Sequence, residues 1–323
     1  MILIFSTNQD FSTQTVIDWL HYYGHQPIII NEMNPIVQVN IGLMNEKTDS
    51  IEMTLKSGMK IHSKNISIIW YRKGLNFFCW DYKKLLAKKH LKNFYTHLEE
   101  ESSALQSFIF NFLKPKTIGD YEISDNNKLI TLAKANSIGL LTPPTVIITT
   151  DKHLDHTKSM VSKNIKDVIS VKINNRLFYN RTTKCDMRIK KNLFPSLLQV
   201  EIIKKYELRI FYFDGLFYTM AIFSQQNEKT KVDFRDITQK TQLKYIAYKL
   251  PRQQEKMMLK LVKELGYTTC SIDMIVDITD KFYFLELNPV GQFGMVSMPC
   301  NYHIEKAIAL KLITYVNQTY KRA

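Results

Sequence analysis

Cysteine, glycine and proline are all scarce in this chain, at 4, 10 and 9 residues out of 323. The cysteines stand at 79, 185, 270 and 300, with no Cys-x-x-Cys pair. That spacing supports neither a disulfide framework nor a thiolate metal motif, and a reducing cytoplasm is the expected compartment. Long apolar runs are missing too. The N-terminal run Met1-Ile-Leu-Ile-Phe5 lacks a basic region, and nothing approaches the roughly 18 apolar residues of a membrane span, so neither export nor membrane insertion is expected. Acid is in deficit, with 30 Asp and Glu against 44 Lys and Arg, a net charge of +14, and only 8 of the basic residues are Arg. Such an excess points to anionic partners (nucleic acid, membrane surface, nucleotide or acidic peptide) without choosing among them. What is abundant is apolar: 45% hydrophobic and 12% aromatic residues provide a substantial core for one to three domains.

The charge is uneven. Residues 152–205 hold 13 Lys and Arg against 4 Asp and Glu, a local net of +9 in one sixth of the chain. Before that stretch the pattern is α/β. Strands are expected at Ile2 to Phe5, Ile28 to Ile30, Ile36 to Ile41, Ile51 to Leu55 and Ile66 to Tyr71. A helix is expected from Thr13 to Tyr23, with Trp19 and Leu20 on its apolar face, and a long one over Leu85 to Leu113, broken near Ser102-Ser103. Pro115 and Gly119 punctuate a boundary. A helix over Asn127 to Ser137, ended by Gly139, precedes Pro143-Pro144 and a strand at Thr145 to Ile148. Further strands are expected at Val168 to Ile173, Arg176 to Asn180 and Leu197 to Ile203. Glu207 to Phe213, Asp214-Gly215 and Leu216 to Phe223 form a hairpin signal, and Gln225 to Thr241 a polar loop. After a helix at Arg252 to Leu265, two strands, Cys270 to Val276 and Phe282 to Leu287, precede a Pro/Gly loop and a last helix at Ile304 to Tyr320. The expected domains are 1–115, 116–198 and 199–323.

Chemistry concentrates in the last two strands. If the polar Asp277-Ile-Thr-Asp280 stretch is a hairpin turn, Asp273 faces Glu286 across the ladder, and Asn288, two residues on, shares that face. Two facing carboxylates repel unless a cation lies between them, and an all-oxygen donor set favours Mg²⁺ over a soft metal. The alternative makes Asp273 a buried, backbone-bonded residue and Glu286 a solvent-facing one. Burying unpaired carboxylates among Ile, Val, Phe and Leu is expensive, which weighs against it.

An acid, a hairpin and then Glu-x-Asn resembles the metal strands of the ATP-grasp superfamily. Other segments match it in order: Lys128 after Asn127, Lys172 in Ile-Ser-Val-Lys-Ile, a hinge-like Leu198-Gln-Val-Glu-Ile202, and Glu207-Leu-Arg209. The resemblance implies an α/β (α+β) ATP-grasp fold, with an N-terminal pre-ATP-grasp domain, a central subdomain and a C-terminal antiparallel-sheet subdomain. It also implies ATP bound near Lys128, Lys172, Gln199, Glu201, Ile202 and Glu207, and Mg²⁺ on Asp273, Glu286 and Asn288. Ile203 stands where relatives often place a polar residue near the ribose.

A narrower resemblance rests on Trp70-Tyr-Arg72-Lys73, Lys205-Tyr-Glu-Leu-Arg209-Ile-Phe-Tyr, Asp233-Phe-Arg235, Glu286-Leu-Asn-Pro-Val-Gly-Gln-Phe-Gly294 and Cys300-Asn-Tyr302. It is to the graspetide synthetases, peptide maturases of the microviridin-ligase and grasp-with-spasm type. That family commonly shows two Arg where this chain has Arg72-Lys73. The resemblance implies Arg209 and Arg235 as catalytic groups on the phosphoryl and acyl phosphate, where a planar fork of donors matches oxygen pairs. Its implied partner is a ribosomal precursor peptide with a leader and an acid- and Ser/Thr-rich core, with leader contacts around 225–246 and a homodimer as the common state. Two other readings remain open: a ligase for free amino acids or a protein C-terminus, and a basic nucleic-acid binder motivated by the +9 segment.

Overall fold

A computed structural model of the chain describes residues 1–44, 47–74, 77–80, 92–121, 127–150, 159–166, 170–173, 176–179, 182–185, 194–225 and 243–322. Contacts divide the chain into two units: Met1–Ser124 with His303–Ala323, and Asp125–Tyr302.

The first unit begins with β1 (Ile2–Phe5), α1 (Phe11–Tyr22) and β2 (Ile28–Ile30). An antiparallel sheet follows, made of β3 (Ile36–Met44), β4 (Lys47–Leu55) and β5 (Lys60–His62). Then come β6 (Ile68–Tyr71), α2 (Lys92–Leu113) and β7 (Thr117–Ile118). The main sheet runs β2-β1-β6-β7, all parallel. Its central strands, Ile-Leu-Ile-Phe and Ile-Ile-Trp-Tyr, are buried at every position, as continuous apolar runs in parallel sheets are. Leu3, Phe5, Ile69 and Tyr71 join Ile51, Met53, Ile109 and Phe110 in one core. Helix α1 buries Val16, Ile17 and Leu20, while Trp19 is only half-buried and carries the Lys306 ammonium over its ring at 5.2 Å.

At the carboxyl ends of β1 and β6, buried Asp10 takes Arg72 Nε at 3.1 Å, Lys73 Nζ at 3.2 Å and Thr13 Oγ1 at 2.7 Å. Burial alone would raise the Asp10 carboxyl, but the Arg72 guanidinium, the Thr13 hydroxyl and Lys73 together hold it below the usual carboxylate range. The pair's contribution to stability is therefore full above that range and lost as pH falls through the lowered folded value. Asp10→Asn removes the charge that offsets the buried guanidinium, and a loss of about 3 kcal/mol in urea unfolding at pH 7 is expected. A change below about 1 kcal/mol would refute a stabilising role for this pair.

The second unit opens with α3 (Lys128–Ser137), whose N-cap Asn127 accepts from the backbone N–H groups of Leu129 and Ile130 at 3.0 and 3.3 Å. The helix gives way to Gly139 at φ +90° and the Pro143-Pro144 pair. Next come β8 (Thr145–Ile148), β9 (Met160–Lys163), β10 (Ser170–Ile173), β11 (Arg176–Tyr179), β12 (Thr183–Lys184) and β13 (Ser196–Val200). They form an antiparallel sheet β12-β9-β13-β8 and a separate β10-β11 hairpin. The third portion is β14 (Lys204–Phe213), β15 (Leu216–Phe223), β16 (Lys244–Tyr248), α4 (Arg252–Glu264), β17 (Thr269–Asp277), β18 (Phe282–Asn288) and α5 (Gly294–Cys300). Its sheet, β16-β15-β14-β17-β18, is antiparallel throughout. Asp214 at φ +43° and Gly215 at φ +96° make the two-residue turn between β14 and β15. The final helix, α6 (Ile304–Arg322), packs on α1 of the first unit.

Three differences from the sequence expectations have local causes. Helix α2 runs unbroken through Ser102-Ser103, because Ser102 is buried and its Oγ accepts from Trp80 Nε1 at 2.5 Å and Gln106 Nε2 at 3.0 Å. The 85–91 part of that expected helix lies outside the described residues. The expected Pro/Gly loop before α6 contains α5, anchored by buried Phe293 and Val296, with the Phe293 ring 5.3 Å from Phe211. Strand β9, in the Lys-rich stretch, buries only Met160 and Val161, too short a pattern to read from sequence.

Candidate active site

Near the turn, Val276 pairs with Phe282, Ile275 with Tyr283 and Met274 with Phe284, so the β17–β18 hairpin centres on Thr279. Continued without interruption, that register would set Asp273 against Leu285. Instead Leu285 is the extra residue of a β-bulge, and beyond it Asp273 faces Glu286 and Ser271 faces Asn288. The bulge lets Phe284 and Leu287, three residues apart, both point into the core while Glu286 and Asn288 share the opposite face.

Neighbouring elements supply the counter-charges. Arg209 lies opposite Asp273 in the β14–β17 register and its Nη1 bonds both carboxylate oxygens, at 2.5 Å for Oδ1. The capped start of α3 delivers Lys128 Nζ to Glu286 Oε2 at 3.2 Å, and Asn288 Nδ2 donates to Glu286 Oε1 at 3.5 Å. The order along this cluster is thus cation, two facing acids, cation. Arg209 Nε is buried with no hydrogen-bond partner among the described residues.

The other expected site residues that the structure describes lie on three sheets and at the β13–β14 junction. Glu207 lies on the same face of β14 as Arg209, and its Oε1 receives Lys204 Nζ at 2.5 Å and Ser224 Oγ at 3.2 Å. At the end of β13, Glu201 accepts from Ser159 Oγ at 2.6 Å and pairs with Lys184 at 2.9 Å. Burial would raise its carboxyl, but Ser159, Lys184 and Lys204 outweigh that and lower it. Gln199 is buried and donates from Nε2 to Thr145 Oγ1 at 3.0 Å. Ile202 is half-buried and Ile203 is 70% exposed. Lys172 pairs through its backbone with Leu177 in the β10–β11 hairpin. Arg235, with Asp233, falls outside the described residues. Sequence reasoning did not single out Lys184, Ser159 or Lys204. The Lys-rich composition around them hides which lysines turn inward.

The loop after β18 makes a close approach. A Cβ on Gly291 would lie 1.8 Å from Ser271 Oγ and 2.6 Å from Ser271 N, so only glycine fits where the loop crosses the strand beside Asn288. Gly291→Ala is expected to destabilise by roughly 1–3 kcal/mol in denaturant unfolding. Adding Ser271→Gly should restore only part of this, because the backbone nitrogen stays in the way; full recovery would show that the side chain alone sets the constraint.

A parallel α/β unit, a smaller antiparallel sheet, and a five-stranded antiparallel sheet with acids on its terminal hairpin together make up an ATP-grasp fold. No family model and no curated protein matches the sequence. Solved structures match its fold. The chain is similar to a RiPP-associated ATP-grasp ligase of Chryseobacterium gregarium in complex with ADP and a leader and core peptide, at 23% identity, 97% of this chain, 96% of that one and a TM-score of 0.76. It is also similar to the macrocyclase MdnC of Microcystis aeruginosa bound with the precursor peptide MdnA, at 22% identity, 97% and 99% coverage and a TM-score of 0.72. A third likeness is the ATP-grasp ligase PsnB complexed with minimal precursor, Mg and ADP, at 16% identity, 97% and 96% coverage and a TM-score of 0.71. At these identities the likeness establishes the fold.

Proposed function

We propose that the protein is an ADP-forming ATP-grasp ligase that macrocyclises a ribosomal precursor peptide, joining Asp or Glu side chains to Ser/Thr hydroxyls or Lys amines. The observation that carries this reading is the cross-strand Asp273–Glu286 pair with Asn288, flanked by Arg209 and Lys128, in a fold shared over nearly its whole length with precursor-bound ligases. The functional domains in this reading are 1–115, 116–198 and 199–323. It also includes a cytoplasmic location, where ATP is made, and a homodimer.

The donor set fits a hard cation. Asp273 and Glu286 are held apart from mutual repulsion by Arg209 and Lys128, and with Asn288 they offer only oxygen ligands. Mg²⁺ bound there would screen the charge on the phosphates of ATP. A carboxylate is a poor acyl donor because oxide would have to leave. Its oxygen therefore attacks the γ-phosphorus of ATP, ADP departs, and the acyl phosphate that forms is attacked by the hydroxyl or amine with loss of phosphate and a proton. Lys128 and Lys172 neutralise phosphate oxygens as point charges. The forks of Arg209 and Arg235 stabilise the transferring phosphoryl group and the acyl phosphate. Gln199, Glu201 and Ile202 border the adenine, and Glu207 faces the sugar.

The direct test is mass spectrometry of a candidate precursor, with an acid- and Ser/Thr-rich tail, after incubation with the protein, ATP and Mg²⁺. One water lost per crosslink is expected, with equimolar ADP. ADP release on free amino acids, with the peptide unchanged in mass, would replace this reading with a small-substrate ligase.

A further inference from the structure

The doublet Lys204-Lys205 is split by a β-bulge. In the β14–β17 ladder Lys204 pairs with Asp277 and Tyr206 with Val276, so two residues of β14 advance against one of β17, and Lys205 is the extra one. Lys205 turns outward to Asp280 Oδ1 at 2.8 Å. Strict alternation would put residues 204 and 207 on opposite faces; the bulge puts them on the same one. Lys204 Nζ reaches Glu207 Oε1 at 2.5 Å, with side chains only 3% and 12% exposed, and buried Ser224 joins on the same oxygen. The Lys204 charge also bears on Glu201, so one buried ammonium serves both acids of the hinge region. A strand lysine is seldom buried this deeply, and bulges beside sites commonly re-aim a side chain.

We infer that Lys204 is a positioning residue: it fixes the Glu207 carboxylate so that it accepts from the ribose hydroxyls, and thereby sets the preference for ATP over 2′-deoxy-ATP. This rests on the nucleotide-binding reading above. Glu207 sits two residues from Arg209 on the same strand face, roughly 7 Å along the strand, about the distance separating a ribose from the phosphates that Arg209 would meet.

Calorimetric titration of ATP and of 2′-deoxy-ATP, each with Mg²⁺, into wild type, Lys204→Met, Lys204→Arg, Glu207→Gln and the Lys204→Met/Glu207→Gln double variant tests this. Wild type should prefer ATP by roughly tenfold or more, the worth of a hydroxyl bonded to a carboxylate. Lys204→Met and Glu207→Gln should each bring the ratio to within about twofold, the double variant should lose no more than either alone, and Lys204→Arg should restore most of it. In turnover, Lys204→Met should raise KM for ATP while kcat and the KM for peptide hold. If Lys204→Met does not fold, Lys204→Gln, which removes the ammonium and leaves Glu207 in place, carries the comparison. A wild type that binds neither nucleotide overturns the nucleotide reading itself. A wild type that binds both equally, or a Lys204→Met variant that keeps the wild-type preference, overturns only the ribose-selecting role given to Lys204 and Glu207.

Discussion

Glu286→Gln should leave a folded protein that binds its peptide but forms crosslinks roughly 10³-fold or more slowly, the scale of losing several kcal/mol of charge stabilisation at a metal-assisted step. The substitution keeps the side-chain shape and removes one negative charge. In the free protein that charge faces Asp273 and pairs with Lys128 at 3.2 Å, so relief of repulsion and loss of an ion pair oppose each other. Stability should therefore stay within about 1 kcal/mol of wild type. With Mg²⁺ held as proposed, no such cancellation would operate, since one of its two anionic ligands would be gone. Timed mass spectrometry of the precursor, alongside a thermal melt, checks both halves. Crosslinking within tenfold of wild type would remove Glu286 from the metal set.

Arg209 carries the second large effect. Its guanidinium bonds both oxygens of Asp273 while Nε stays buried without a partner among the described residues. A guanidinium that meets one carboxylate through Nη1 alone, with donor capacity to spare, is suited to a second pair of oxygens. Arg209→Ala is expected to slow crosslinking by roughly 10³ to 10⁵. Because it also strips a counter-charge from the two facing acids, its melting temperature should fall, and a slow rate alone would not separate chemistry from folding. Arg209→Lys separates them: the charge and the fold remain, the paired donors do not. It should melt near wild type and still turn over at least about 100-fold more slowly. A lysine variant as fast as wild type would reduce the role of Arg209 to charge alone.

Much of this architecture is legible in sequence because its causes are local. Asp214-Gly215 sets a turn through its positive φ angles, Asn127 caps α3, and Gly139 with Pro143-Pro144 ends it. The apolar runs of β1 and β6 mark buried parallel strands. Helix α5 is not legible, since its five-residue core before Pro299 persists through burial of Phe293 and Val296 against the sheet rather than through propensity. Nor is the unbroken course of α2, which depends on Ser102 meeting a tryptophan 22 residues away.

The same division runs through the site. Few cysteines, no long apolar run, a basic excess, and two acids and an amide set among apolar strand residues are properties of the chain itself, and they alone give the expectation of a hard metal held by oxygen. Which faces those groups share was decided by two single-residue bulges, at Leu285 and Lys205. A one-residue slip in a strand moves every later side chain to the opposite face. Local preference hardly distinguishes the two registers. Only packing of Phe284 and Leu287 into one core selects the register that aligns Asp273 with Glu286. Likewise, nothing in Lys204-Lys205 says which lysine turns inward until the ladder with β17 brings Lys204 onto the face it shares with Glu207.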